Sequence, residues 1–216
     1  MGLPQKSIAF ITPEEYLALE NVSLAKHEYM DGVVYAWQGS NIQGMAGAPL
    51  EHNRICLNAA FSLRQQLQGR PHPTCQVYMS DVRLKPAEAS AYFYPDVMLR
   101  CGQPLAGNTM EISDAALVVE VLSPCTAAFD RSDKFLRYRC MASFECYVLI
   151  DPEKRSIEVY RRDQNWQKPQ NLPMIQSAPS ALPVQSDFGS NARATDCYAL
   201  GVHGLVFQAH TIFGDD

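Results

Sequence analysis

The segment ALVVEVL (116–122) constrains this chain more than any other. It is apolar at every position except Glu120, without the alternation of a half-exposed strand. Such a run fits a central strand covered on both faces, so other strands must flank it and further layers must cover it. Glu120 interrupts the run. An unpaired buried carboxylate is strongly destabilising, so Glu120 is either metal-bound, hydrogen-bonded, protonated or paired with a cation. The alternative is that it lies near the strand end and anchors the loop that opens with Ser123-Pro124.

The flanking segments supply those layers. CQVYMSDVRL (75–84), AYFYPDVMLR (91–100), CYVLID (146–151) and SIEVYRR (156–162) read as strands. Thr12-Pro13-Glu14-Glu15 starts a short helix to about Glu20, with a capping hydroxyl, a first-turn proline and acids at the positive end. HEYM and VVYAWQ, joined by Asp31-Gly32, predict a hairpin over 27–38 with a type I′ turn. A Gly-rich loop, SNIQGMAGAP, leads into a helix from about Leu50 to Gln68, on which Leu50, Leu57, Ala60, Phe61 and Leu67 fit an apolar stripe. A second helix is expected from about Thr126 to Cys140. The apolar stretch CYALGVHGLVFQ reads as a returning strand or hairpin. Together these predict an α/β or mixed α+β sandwich. Residues 1–162 form the expected domain, 163–195 a polar loop or extension, and 196–216 a C-terminal strand segment packing on that domain.

A chain of 216 residues buries roughly 70% of the surface its unfolded form exposes, so it needs neither disulfides nor a structural metal. Lys plus Arg number 18 and Asp plus Glu 23, for a formal charge of -5. That balance excludes a polycation that coats nucleic acid, but leaves room for acidic metal ligands beside a local basic patch. The cysteines (Cys56, Cys75, Cys101, Cys125, Cys140, Cys146 and Cys197) are odd in number and include no C-x-x-C pair. This argues against a disulfide framework or zinc ribbon and for a reducing cytoplasm. No signal-peptide run or membrane-length apolar stretch is present in the sequence, so a soluble intracellular protein is expected.

Asp96 follows Tyr94-Pro95 and leads into a strand. With Glu120 on a neighbouring strand, it would offer a hard divalent cation such as Mg²⁺ the oxygen ligands it prefers. Capping a loop, or pairing with Arg83 or Arg100, is the competing role. Lys134 lies on the helix directly after the Glu120 strand, close enough in sequence for its side chain to fold back over the carboxylates. There it could orient a water or neutralise charge on a phosphoryl transition state. The alternative is an exposed i, i+4 pair with Asp130, worth about 0.3–0.5 kcal/mol, whose removal would leave folding nearly intact. His52, opening the long helix, is a phosphate or metal contact or else a cap. Arg131, Arg137, Arg139, Arg161 and Arg162 form a local basic excess that faces phosphates or simply solvent. Gly44-Met45-Ala46-Gly47 lacks the spacing of a nucleotide-binding loop.

The ordered run YPDVML (94–99), VVEVLSPCT (118–126), DRSDKFLRYR (130–139) and CYVLID (146–151) resembles the Uma-two family of candidate restriction endonucleases, in the PD-(D/E)XK nuclease superfamily. ITPEEY (11–16), KHEYMDGVV (26–34) and His52 match the same pattern in order, so the resemblance spans about residues 10–162. It implies a restriction-endonuclease-like fold, with a central mixed β-sheet flanked by helices and an N-terminal β-hairpin. It also implies Asp96 as the acid of the PD pair, Glu120 as the second acid, and Glu28 as a further acid of the metal site. The superfamily lysine would stand at Leu122, and the resemblance moves the amine to Lys134. The activity implied is Mg²⁺- or Mn²⁺-dependent cleavage of DNA by a cytoplasmic homodimer, with His52 and Arg131 as possible substrate contacts. A catalytically silent nucleic-acid-binding or regulatory protein retaining the fold is the alternative.

Overall fold

In the computed structural model, residues 6–7, 10–36, 49–68, 74–86, 90–167 and 197–214 are described. Most of the Gly-rich loop and of the 163–195 extension falls outside them. Strand β1 (Lys6–Ser7) precedes helix α1 (Pro13–Glu20). Thr12 caps this helix reciprocally: its hydroxyl accepts from the Glu15 amide at 3.2 Å, and the Glu15 carboxylate accepts from the Thr12 amide at 2.7 Å. Strands β2 (His27–Met30) and β3 (Val33–Ala36) form the hairpin. Asp31 and Gly32 both take positive φ, 49° and 85°, as a type I′ turn requires. A Cβ at Gly32 would lie 2.6 Å from the Phe10 ring, so space as well as φ demands glycine there.

Helix α2 (Leu50–Leu67) covers the expected range, but of the expected stripe only Ala60 and, in part, Leu67 pack against the core. Ile55, Cys56, Ala59, Ala60 and Leu63 are buried, whereas Leu50, Leu57 and Phe61 stand 92%, 58% and 60% exposed. Two interleaved faces both had helical spacing. The one with small residues at Ala59 and Ala60 packs because it lets the helix approach the sheet closely.

The two long strands expected over 75–84 and 91–100 are each broken. Strand β4 (Cys75–Met79) ends in a turn closed by the Val82 amide to the Met79 carbonyl, before the short β5 (Arg83–Leu84). Strand β6 (Ala91–Tyr92) joins the hairpin sheet, and β7 (Val97–Cys101) starts only after Pro95, which has no N–H to donate. Strands β8 (Glu111–Ile112) and β9 (Ala115–Val121) follow, and every residue of β9 is buried. The next helical stretch is α3 (Ala127–Phe129), one wide π-helical turn at Asp130–Lys134, and α4 (Phe135–Tyr138). Strands β10 (Cys146–Asp151) and β11 (Ser156–Arg161) complete the main sheet. At the C-terminal end, β12 (Cys197–Ala199) and β13 (Val206–Gln208) pair, and a short helix α5 (Ala209–Phe213), not foreseen, follows.

The main sheet has the order β11-β10-β9-β7-β4, with β10 and β9 parallel and the other neighbours antiparallel. It is therefore a central mixed sheet, with β9 in the middle. A second sheet, β1-β3-β2-β6, carries the hairpin. One face of the main sheet packs an aliphatic core that includes Ile55, Leu63, Val119, Val148, Leu205 and Phe213. The other packs an aromatic-rich core with Phe93, Phe129, Tyr138, Phe144 and Tyr147. Cys75 and Cys101 face each other across β4 and β7 and are joined as a disulfide. The reading against disulfides is corrected at this pair, which lies 26 residues apart in sequence and meets only through strand pairing. Among the described residues, no helix is long and apolar enough to cross a membrane.

Candidate functional site

The register of β7 on β9 builds the site. Val97 pairs with Val119 in this antiparallel ladder, which brings Asp96, just before β7, opposite Glu120. Each acid is held by the other strand's backbone. The Asp96 amide donates to Glu120 Oε2 at 3.3 Å, and the Val121 amide donates to Asp96 Oδ2 at 2.8 Å. Glu120 shares the sheet face of Val118 and Leu122, against the aromatic core.

The helical stretch after β9 folds back over that face. Its π-helical turn carries Asp130 and Lys134, and such widened turns recur at functional sites because they re-aim side chains. The Lys134 ammonium lies 2.9 Å from Glu28 Oε1, 3.1 Å from Asp130 Oδ1 and 3.4 Å from Glu120 Oε1. The i, i+4 pair with Asp130 therefore exists, but not at the surface. Lys134 is 4% exposed and gathers acids from β2, β9 and its own turn. The expectation that Lys134 could be removed without cost to folding is overturned by this burial.

Two tyrosines donate into the cluster. The Tyr138 hydroxyl donates to Glu120 Oε1 at 2.9 Å, and the Tyr147 hydroxyl donates to the Asp130 carbonyl at 2.8 Å. Glu28 also accepts from the Tyr94 amide at 3.3 Å. Asp130 Oδ1, although close to the ammonium, has no aligned hydrogen-bond donor.

Burial sets the protonation of the cluster. It pushes the Glu28 and Glu120 carboxyls above the usual range, and the nearby Lys134 offsets this only in part. Burial alone would drive Lys134 toward its neutral form, but Asp130, Glu120 and Glu28 outweigh it and raise the ammonium's pKa. His52, on α2, places Nε2 3.4 Å from Asp96 Oδ2, while its Nδ1 lies 3.5 Å from Cys56 Sγ. Burial lowers the imidazole's pKa, and the hydrogen bond and charge of Asp96 more than reverse this.

Four buried carboxyls (Glu28, Asp96, Glu120 and Asp130) thus face the Lys134 ammonium and the His52 imidazole. With four carboxyls gathered around one ammonium and one imidazole, this donor set offers the oxygen ligands that a hard divalent cation demands. The oxygens of Glu28, Asp96 and Glu120 are nevertheless not gathered within 4.8 Å of one another; His52, Cys56 and Asp96 are.

The structure brings Glu28, Glu120 and Lys134 together, with Asp96 and His52 alongside. It does not bring Arg131 there. The Arg131 guanidinium is clasped by Glu158 of β11, with two contacts of 2.8 Å. The other arginines of the basic excess are also engaged: Arg137 with Asp31, Arg161 with Asp163, and Arg162 with the Phe144 and Met141 carbonyls. Arg139 lies over Phe135 and Trp166. Sequence reasoning missed Tyr138 and the role of Asp130 as a site acid. The spacing Asp130, Lys134, Tyr138, four residues apart each time, was the available signal.

Comparison with known proteins bears on the fold and the family. A crystal structure of "a putative nuclease belonging to DUF820" from Anabaena variabilis superimposes with a TM-score of 0.60, covering 94% of this chain and 97% of that one at 17% identity, which speaks for the fold. Two uncharacterised proteins of Synechocystis sp., sll1609 and slr1290, are each 32% identical to the chain. The first match covers 72% of this chain and 84% of the relative, the second 76% and 81%. Residues 13–192 match the family model Uma2, described as "Putative restriction endonuclease", and the chain belongs to that family.

Proposed function

We propose that the chain hydrolyses phosphodiester bonds in DNA with a divalent cation, Mg²⁺ or Mn²⁺, held by Asp96 and Glu120 with Glu28 beside them. The observation that carries this reading is one buried ammonium among three carboxylates, directly beside a cross-strand acid pair. A purely structural ion pair needs one acid for one base. An excess of buried carboxylate is retained at a stability cost that a cation-binding role explains.

In this reading Asp96 and Glu120 are the ligands, and their carboxylates are aimed by the Val121 amide, the Asp96 amide and the Tyr138 hydroxyl. When bound, the cation supplies positive charge that polarises a phosphoryl oxygen and acidifies water. Lys134 holds a fixed positive charge at Nζ, suited to orienting water or balancing charge that builds on the phosphoryl group. His52 fixes the Asp96 side chain through Nε2. The acid cluster itself repels a polyanion.

A plasmid-nicking assay tests this. Nicking that requires Mg²⁺ or Mn²⁺, and falls by about 10²-fold or more in Asp96→Asn, is expected. Cation-independent nicking, or nicking unchanged in Asp96→Asn, refutes the reading. The homodimer and cytoplasmic location belong to the same proposal; a particle of 24.1 kDa by light scattering counts against the dimer. One observation favours a catalytically silent, DNA-binding alternative: Glu28, Asp96, Glu120 and Lys134 are each at most 5% exposed. DNA binding by the folded protein with no nicking under any divalent cation would select that alternative.

A further inference from the structure

A second cluster of metal-ligating side chains lies away from the acids. Cys75 opens β4 and Cys101 closes β7, and the ladder places them directly opposite, with Cα atoms 4.0 Å apart. His203 reaches the same spot from the turn between β12 and β13. Its ligating nitrogen and the two sulfurs all lie within 4.8 Å of one another. Both cysteines are partly accessible and His203 is exposed, so an ion could reach them from solvent.

The turn that presents His203 is firmly anchored. Its flanking Leu200, Val202 and Leu205 are fully buried, and the Leu200 amide bonds to the Leu205 carbonyl at 3.0 Å. His203 itself has φ +47°, in the left-handed region that histidine enters more readily than most non-glycine residues.

We propose that the reduced Cys75–Cys101 pair and His203 form a binding site for a thiophilic divalent cation of the Zn²⁺ type, and that the disulfide is its closed, metal-free form. Two thiolates and an imidazole are the ligands that Zn²⁺ prefers, and three protein ligands leave a fourth position for water. With Zn–S bonds near 2.3 Å, tetrahedral coordination separates the two sulfurs by about 3.8 Å. Facing Cβ atoms across an antiparallel pair are about 4.5–5.5 Å apart, so side-chain rotation can supply that separation without moving the strands.

The chemistry balances with a dithiol reductant. The reductant gives two electrons and two protons, the disulfide becomes two thiols, and the reductant becomes its own disulfide. Binding of the cation then displaces one proton from each thiol to solvent. The bound ion ties the β12–β13 turn to the edge of the main sheet, whereas the disulfide ties only β4 to β7.

The test uses the full-length chain in two states, oxidised and dithiol-reduced, the latter desalted without oxygen. Co²⁺ serves as a spectroscopic substitute and Zn²⁺ affinity is read by competition with a chromophoric chelator. The reduced protein is expected to bind one more Co²⁺ than the oxidised protein, with a thiolate-to-cobalt charge-transfer band that the oxidised protein lacks. The band should vanish in Cys101→Ser, and His203→Ala should weaken Zn²⁺ by at least about tenfold, since even loss of a ligand's supporting partner costs that much. Cys56→Ser, at the His52 contact, should leave the band intact.

A reduced protein without the band overturns the proposal, as does a band that survives Cys101→Ser or disappears in Cys56→Ser. An unchanged affinity in His203→Ala removes His203 from the site and refutes the three-ligand proposal. Comparing the two redox states of the wild type keeps the test valid should a variant fold poorly. The readout is independent of nicking, so failure here and failure of the nuclease reading are separate results.

Discussion

The two faces of the main sheet bury cores of opposite chemistry. On the α2 face the core is aliphatic and its job is packing. On the other face the core is built from phenylalanines and tyrosines, and the charged cluster sits among them. Aromatic rings fill volume as aliphatic side chains do, but a tyrosine also ends in a hydroxyl. Tyr138 and Tyr147 use that hydroxyl to satisfy Glu120 and the backbone of Asp130. The Lys134 ammonium also lies 5.9 and 5.8 Å from the Phe93 and Phe129 ring centres, within reach of their negative faces. A purely aliphatic face could offer neither contact. The difference teaches that the Lys134 cluster is held on the face whose rings and hydroxyls can reach it.

The largest expected effect comes from the charged face. Lys134→Ala leaves three buried acids without their ammonium and should destabilise by about 3–5 kcal/mol in urea unfolding. A loss below about 1 kcal/mol, the scale of an exposed pair, would erase the contrast between the faces. Adding Glu28→Gln to Lys134→Ala should recover part of the loss, because it removes one of the stranded charges.

On the aliphatic face, Leu63→Ala should cost about 2–4 kcal/mol through lost burial and the cavity left behind. Its loss should be independent of pH between about 5 and 8, since no ionisable group changes. Marked pH dependence there would mean that the two faces are coupled through the sheet.

Tyr138→Phe keeps the ring and deletes only the hydroxyl, and should cost about 1–2 kcal/mol by leaving Glu120 short of a donor. Neutral behaviour would show that Lys134 and the Asp96 amide hold Glu120 without the hydroxyl. It would also reduce the aromatic face to a packing layer.

Asp151, at the end of β10, provides the smallest effect and a reference outside both cores. Burial opposes its charged form, but the Lys154 amide at 3.0 Å and ammonium at 2.6 Å outweigh that and hold its carboxyl below the usual range. A carboxyl lowered on folding stabilises above its unfolded pKa, near 3.8, and that contribution is lost as pH falls through the folded value. Lys154 is largely exposed, so Asp151→Asn should cost only about 0.5–1 kcal/mol at neutral pH. The variant should also flatten the stability slope below pH 3.8. An unchanged acid slope would show that the contact contributes nothing.

What the sequence by itself determined was whatever depends on neighbours in the chain. The continuous apolar run placed β9 at the centre, Thr12 and Glu15 marked the start of α1, and Asp31-Gly32 specified the hairpin turn. Each rests on local backbone preference or on the burial of one segment. The order of short motifs was also enough to indicate the family, because each motif is contiguous.

Tertiary structure alone decided which face of α2 is buried, since Leu57 and Phe61 have the same helical spacing as Ile55 and Ala59 and only the close approach to the sheet separates them. It alone joined Cys75 to Cys101, because strand register pairs residues far apart in sequence. And it alone decided between the two readings of Lys134, sealing it 2.9 Å from Glu28 rather than leaving it in an exposed pair. The distance from Glu28 to Lys134 along the chain carries no information about contact; the pairing of β2 with β6 and the fold-back of the helix after β9 bring them together. Charges that meet across elements are settled by packing, because the desolvation that sets their energies exists only once the layers have closed.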